Sequence, residues 1–122
     1  MSVFVKSYKD IASFRPERFN PVGFAGNDHV RVIVASFEPG QFIPVHRPGI
    51  NLTLAVLEGQ GTIMAGDKEE RVGPGSLAFI PAGEARGIKA ESRLVILHVV
   101  SPIPTEADHN EVATGFERGT WR

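Results

Sequence analysis

Two histidines and one arginine, each set among apolar residues, are the side chains of this sequence best placed to do chemistry. His46 ends the run Pro39-Gly40-Gln41-Phe42-Ile43-Pro44-Val45-His46. An imidazole titrates near neutral pH, so it can ligate a metal, move a proton or orient an anion. Arg86 opens an apolar stretch after Pro81-Ala82-Gly83-Glu84-Ala85. Its guanidinium stays cationic and offers planar donors to a carboxylate or phosphate. As a structural residue, Arg86 would instead pair with an acid such as Glu84 or extend to the rim of its pocket. His98 lies in Leu94–Val100, on the face of Leu94, Ile96 and Val100 by period two. It reads either as a pocket residue or as a core histidine satisfied by a hydrogen bond. His29, after the turn-like Gly26-Asn27-Asp28, and His109, in a polar tail, read as solvated surface residues.

Other chemistries find little support. There is no cysteine, so disulfides and thiolate metal sites are excluded. No pair of carboxylates stands out for glycoside hydrolysis, and no Ser–His–Asp arrangement is legible. Glu38 and Glu58 sit at strand ends beside glycines and read as turn or rim carboxylates, while Lys68, Glu69 and Glu70 read as a solvated hairpin. Gly59-Gln60-Gly61 is not followed by a helix, as a phosphate loop would be. The net charge is −1 with no basic stripe, which argues against nucleic acid as a partner. No apolar run approaches the ~20 residues that span a bilayer. The first residues lack a charged segment followed by an apolar one, so a cytoplasmic protein is the expectation.

The elements that must carry these residues are short. Thirteen glycines and nine prolines divide the 122-residue chain, of which 42% is apolar. Runs rich in Val, Ile, Leu and Phe between such breaks read as strands. The clearest are Val30–Phe37, Leu52–Glu58, Gly61–Ala65, Leu77–Ile80 and Leu94–Val100; weaker ones are Val3–Val5, Phe42–Val45, Glu69–Val72 and Arg86–Lys89. With no helix between strands, the pattern predicts an all-β sandwich or barrel. Ser7–Phe19 has room for a helical turn, and Thr105–Val112 for a helix with Thr105 as N-cap. The expected core includes Val32, Val34, Phe42, Leu54, Val56, Phe79, Ile88 and Ile96. Leu52–Leu57 and Leu94–Val100 are apolar on both faces and need cover on both sides. A second copy, giving a homodimer, or the terminal segments must supply it.

Two segments carry a family resemblance. Gly40 to His46, followed by Leu52-Thr53-Leu54-Ala55-Val56-Leu57-Glu58-Gly59, resembles the first motif of the cupin superfamily, G-x5-H-x-H-x3,4-E-x6-G. Gly75 to Pro81 to Gly83 and on to Arg86 resembles the second, G-x5-P-x-G-x2-H-x3-N. The resemblance implies a double-stranded β-helix, two antiparallel sheets in a jelly-roll barrel. The core barrel is then about 28–101, with an N-terminal arm 1–27 and a C-terminal tail 102–122, all in one domain. It also implies a metal held by two histidines and a carboxylate or amide of the first motif with a histidine of the second. Here those positions hold His46, Pro48, Leu52 and Arg86, and the terminal asparagine falls on Ala90. One imidazole is far short of the three or four donors a divalent ion needs, and a guanidinium repels it. The expectation is a protein with no metal and no cofactor.

The function expected from these residues is the binding of a small ligand, a carboxylate or phosphate, by Arg86 and His46. Phe42, Leu52, Leu54 and Phe79 are the expected pocket walls, with His98 a further candidate. The alternative is an enzyme. It would be a metal-dependent dioxygenase, isomerase or decarboxylase with atypical ligands, or a metal-free isomerase or epimerase using His46 as acid or base. A structural module built on dimerisation is the third possibility.

Overall fold

The short β-branched runs do form strands. A computed structural model describes residues 3–122; Met1 and Ser2, the start of the expected N-terminal arm, lie outside the described residues. Its strands are β1 (Asn20–Gly26), β2 (Arg31–Phe37), β3 (Phe42–His46), β4 (Asn51–Glu58), β5 (Gly61–Ala65), β6 (Lys68–Val72), β7 (Leu77–Ile80), β8 (Arg86–Ala90) and β9 (Leu94–Ser101), followed by one helix, α1 (Glu106–Arg118). They build two antiparallel sheets, ordered β1-β2-β9-β4-β7 and β3-β8-β5-β6. This is the all-β double-stranded β-helix. No described helix is long and apolar enough to cross a membrane.

Three elements differ from expectation. Val3–Val5 forms no strand. β1 has no counterpart among the expected strands, because Pro21 and Gly23 interrupt its pattern. It is an edge strand with a bulge between Gly23 and Ala25, where proline and glycine are tolerated. The helix is longer than Thr105–Val112. Thr105 is its N-cap, with the Asp108 carboxylate accepting from the Thr105 N–H at 2.8 Å, and Gly119 closes it in the left-handed conformation. Helical glycine at 115 is explained by packing, since a Cβ there would collide with the Pro44 ring.

Between the sheets lies the core, with Phe37, Leu54, Val56, Ile88, Leu94 and Ile96 buried. Of the expected core residues, Val34 is buried, while Val32 and Phe42 are only half-buried. Phe79 is a correction: it is 64% exposed. The β4–β7 register pairs Leu52 with Ile80 and Thr53 with Phe79, so Ile80 takes the inward position and Phe79 faces out beside Thr53.

The doubly apolar strands are covered on their outer side partly by the N-terminal arm. Ser36, Val34 and Val95 alternate with inward residues, yet they are almost fully buried. Ser13 N–H donates to the Ser36 hydroxyl at 3.2 Å, and Arg93 lies 4.3 Å from the Phe14 ring centroid. At the turn between β4 and β5, Gly59 has φ +89°, and a Cβ would run into the Arg93 carbonyl, so only glycine fits. The C-terminal segment covers the exposed edge of β3. Helix α1 packs on that strand, and the Val45 N–H donates to the Trp121 carbonyl at 2.7 Å.

Candidate functional site

Antiparallel pairing brings residues of both sheets to one cavity of about 490 Å³. Leu52, Ile80, His98 and Val100 line it from one sheet, and Ile43, His46, Arg86 and Ile88 from the other. α1 closes it with Val112 and Phe116, and the N-terminal arm adds Arg18 and Phe19. Phe19 stacks on Phe37 and Phe116, at centroid distances of 5.3 and 6.0 Å, which fastens arm and helix to the barrel. Asp108 and Glu111 fix the helix to the β3–β4 loop, accepting from the Gly49 and Arg47 N–H groups at 3.1 and 2.9 Å.

Arg86 is the charged residue inside, only 4% exposed. It makes no ion pair among the described residues. Its Nη2 donates to the Pro81 carbonyl at 2.9 Å and to the Ile80 and Glu84 carbonyls at 3.4 and 3.5 Å. Glu84 therefore meets it through the main chain and not through its carboxylate. These bonds to the β7–β8 turn hold the guanidinium in place. Nε and Nη1 are buried and find no hydrogen-bond partner among the described residues. Burial pulls its pKa below the ordinary arginine value, with Asp108 opposing. Even so, a guanidinium stays charged.

His46 donates from Nδ1 to the Pro44 carbonyl at 2.8 Å. A neutral ring bonded in this way carries its proton on Nδ1. Burial lowers its pKa, and the Arg86 charge adds to that; the Pro44 and Arg86 carbonyls and the Glu111 carboxylate act in the opposite direction. His98 is 8% exposed, and its Nε2 has no partner among the described residues. Burial, with Arg86 adding, lowers its pKa to about 4. Both histidines are therefore neutral at pH 7, and among the described residues Arg86 is the one fixed charge in the interior.

Of the residues singled out in the sequence, His46, Leu52, Arg86 and His98 line this cavity. Leu54 does not; it is a core residue paired with His98 across β4 and β9. Phe42 and Phe79 are not walls either. Phe42 is paired with exposed Lys89, on the opposite side of its strand from Ile43, and packs on Phe116 at 5.7 Å. The inward positions belong to their neighbours Ile43 and Ile80. His109 remains exposed, yet it lies at the cavity mouth. The walls supplied by the arm and helix are absent from the sequence-based site. The i, i+4 pair Val112 and Phe116 is the available signal for them, an apolar stripe on a helix that needs cover.

The metal implied by the fold does not fit these residues. No group of three or more His, Asp or Glu side chains among the described residues is arranged to hold an ion. At the ligand positions stand Pro48, Leu52 and Arg86, two without a donor and one cationic.

A sequence profile described as "Cupin domain" matches residues 33–100, more than half of the chain, so the chain belongs to the cupin family. No curated protein matches it by sequence. Among solved structures, TT1209 from Thermus thermophilus is 29% identical with a TM-score of 0.73, covering 80% of this chain and 94% of that one. An uncharacterized conserved protein with a double-stranded β-helix domain from Klebsiella pneumoniae is 18% identical with a TM-score of 0.75, covering 86% and 99%. A protein from Thermotoga maritima described as a predicted oxalate decarboxylase is 18% identical with a TM-score of 0.63, covering 70% and 81%. The likeness to the last two shows the fold alone.

Proposed function

We propose that this protein is a metal-free cupin that binds a small organic anion, a carboxylate or a phosphate, in its barrel cavity. The observation that carries the reading is Arg86. A buried guanidinium with two unpartnered nitrogens is costly, because a buried charge is normally paired and hydrogen-bonded. A bound anion supplies both the countercharge and the acceptors. His46 stands beside it, and a cavity of about 490 Å³ falls in the size range of ligand pockets. Calorimetry with a panel of small organic acids and inorganic phosphate tests the reading. Binding to the wild-type protein and its loss in Arg86→Leu is the expected result; equal binding to both, or binding of uncharged compounds only, overturns it.

The same reading includes a homodimer. β7 is the edge of its sheet, and its Leu77 and Phe79 are 79% and 64% exposed. Val3 and Val5 are 82% and 91% exposed on an arm that forms no strand of its own. One chain thus carries an open apolar sheet edge and an extended apolar segment, and a second copy is the occupant that satisfies both.

A further inference from the structure

We infer that the ligand is an amphipathic monocarboxylate, one carboxylate on an alkyl or aryl body, and not a polyhydroxylated acid, a dicarboxylate or a phosphate. This rests on the anion-binding reading above and narrows it. The argument comes from what the cavity wall contains. Its polar members are arginines and histidines only: Arg15, Arg18, His46, Arg86, His98 and His109. Among the described residues, no carboxylate, amide, hydroxyl or thioether side chain lines it. Every other wall position is an aliphatic or aromatic residue, proline, alanine or glycine.

A sugar acid carries several hydroxyls, each of which loses hydrogen bonds to water on entry. With few side-chain acceptors to replace them, each such group incurs a desolvation cost. Ile43, Ile80, Ile88 and Val100 instead favour hydrocarbon. The charge balance points the same way. Arg86 is the one fixed interior cation, since His98 is neutral at pH 7 with a pKa of about 4. One carboxylate balances it; a second anionic group inside would stand uncompensated. Arg15 and Arg18 belong to the exposed arm. Arg15 already pairs with Glu17 at 3.5 Å, and Arg18 lies over the Phe116 ring at 4.9 Å. Exposed charges of this kind steer an anion toward the mouth and add little to its final affinity.

The test is a calorimetric series on the wild-type protein: acetate, butanoate, hexanoate and octanoate, with octanol, suberate, glucuronate and inorganic phosphate as comparisons. Affinity is expected to rise roughly three- to fourfold per added methylene until the cavity is filled. Suberate, glucuronate and phosphate should each bind at least about tenfold more weakly than octanoate. Arg86→Leu should lose octanoate binding by at least about tenfold and leave octanol unchanged, and Arg86→Lys should retain part of the octanoate affinity. If acetate, glucuronate, suberate or phosphate binds as tightly as octanoate and needs Arg86, the anion reading stands and the amphipathic inference is overturned. If octanol matches octanoate, and Arg86→Leu changes neither, the anion reading itself is overturned. Absence of binding by every member at millimolar concentration overturns both.

Discussion

His46 and Arg86 are register partners on β3 and β8, so both side chains leave the same face of their sheet and enter one cavity. Opposed pairs in an antiparallel ladder are among the closest neighbours a sheet provides. Burial first, with the nearby Arg86 charge adding to it, keeps His46 neutral. The pair is therefore a cation with a neutral titratable neighbour, whose protonation depends on what lies between them.

Anion affinity should rise as pH falls. In the free protein the His46 pKa is lowered from 6.5, first by burial, with Arg86 adding to it; Glu111 and the backbone carbonyls oppose, and Asp108 acts on the neighbouring Arg86. A bound carboxylate favours the imidazolium and raises that pKa. Between the free and bound values, binding takes up a proton, so affinity increases by up to about tenfold per pH unit on lowering the pH. Octanoate titrated calorimetrically between about pH 8 and pH 5.5 should show this slope, and His46→Gln should flatten it. A flat wild-type profile would remove His46 from the site.

Arg86→Met should stabilise the ligand-free protein, by roughly 1 kcal/mol, while removing anion binding. The gain comes from eliminating a buried charge whose Nε and Nη1 are unpartnered. The loss is the Nη2 bond to Pro81, with the two longer contacts to Ile80 and Glu84. Urea unfolding measures the balance. Destabilisation beyond about 2 kcal/mol would mark Arg86 as a clamp on the β7–β8 turn whose structural role outweighs its charge.

The sequence made the barrel legible because its strands are short, apolar and bounded by glycine and proline. It made the polar centre of the cavity legible for a related reason. Gly40 to His46 spans one turn and one strand, and Gly75 to Arg86 one strand with the turns at its ends, so these short spacings mark His46 and Arg86 without any tertiary information. The errors at Phe42 and Phe79 are errors of parity. Each is adjacent to an isoleucine, and only the pairing register decides which of the two points inward. The arm and helix walls were legible only as possible cover, not as cavity walls, for a different reason. Arg18, Phe19 and Phe116 reach the cavity only because two terminal segments fold back onto the barrel, and the Val112–Phe116 stripe signals that the helix needs cover without saying where it docks.

Phe79→Glu with Leu77→Glu should yield a folded monomer. Both side chains face solvent within one chain, so charging them leaves the core untouched and costs the isolated fold little. The wild-type protein should sediment as a dimer at micromolar concentration, and the double variant as a monomer with an unchanged far-ultraviolet spectrum. A wild-type monomer would show that the outer face needs no cover beyond what the arm residues Ser13 and Phe14 already give it.

Acid should unfold the protein through His98. Its pKa is about 4 in the fold, against the ordinary 6.5. A histidine with a depressed pKa binds more protons unfolded than folded in the window between those values. Stability is then complete above about pH 6.5, falls as pH is lowered, and levels off below about pH 4, with a total loss on the order of 3 kcal/mol from this group. Carboxylates such as Asp108, whose pKa is lowered from 3.8 chiefly by its bond to the Thr105 N–H, lose their contribution only below that window. His98→Leu separates the two. It removes a buried imidazole whose Nε2 has no partner, and Leu54 beside it shows that the site accommodates aliphatic bulk. Chemical denaturation at pH 7 and pH 5 should show a large difference for the wild-type protein and a small one for His98→Leu. If both proteins lose the same stability between those pH values, the acid sensitivity resides elsewhere and His98 does not titrate as its burial requires.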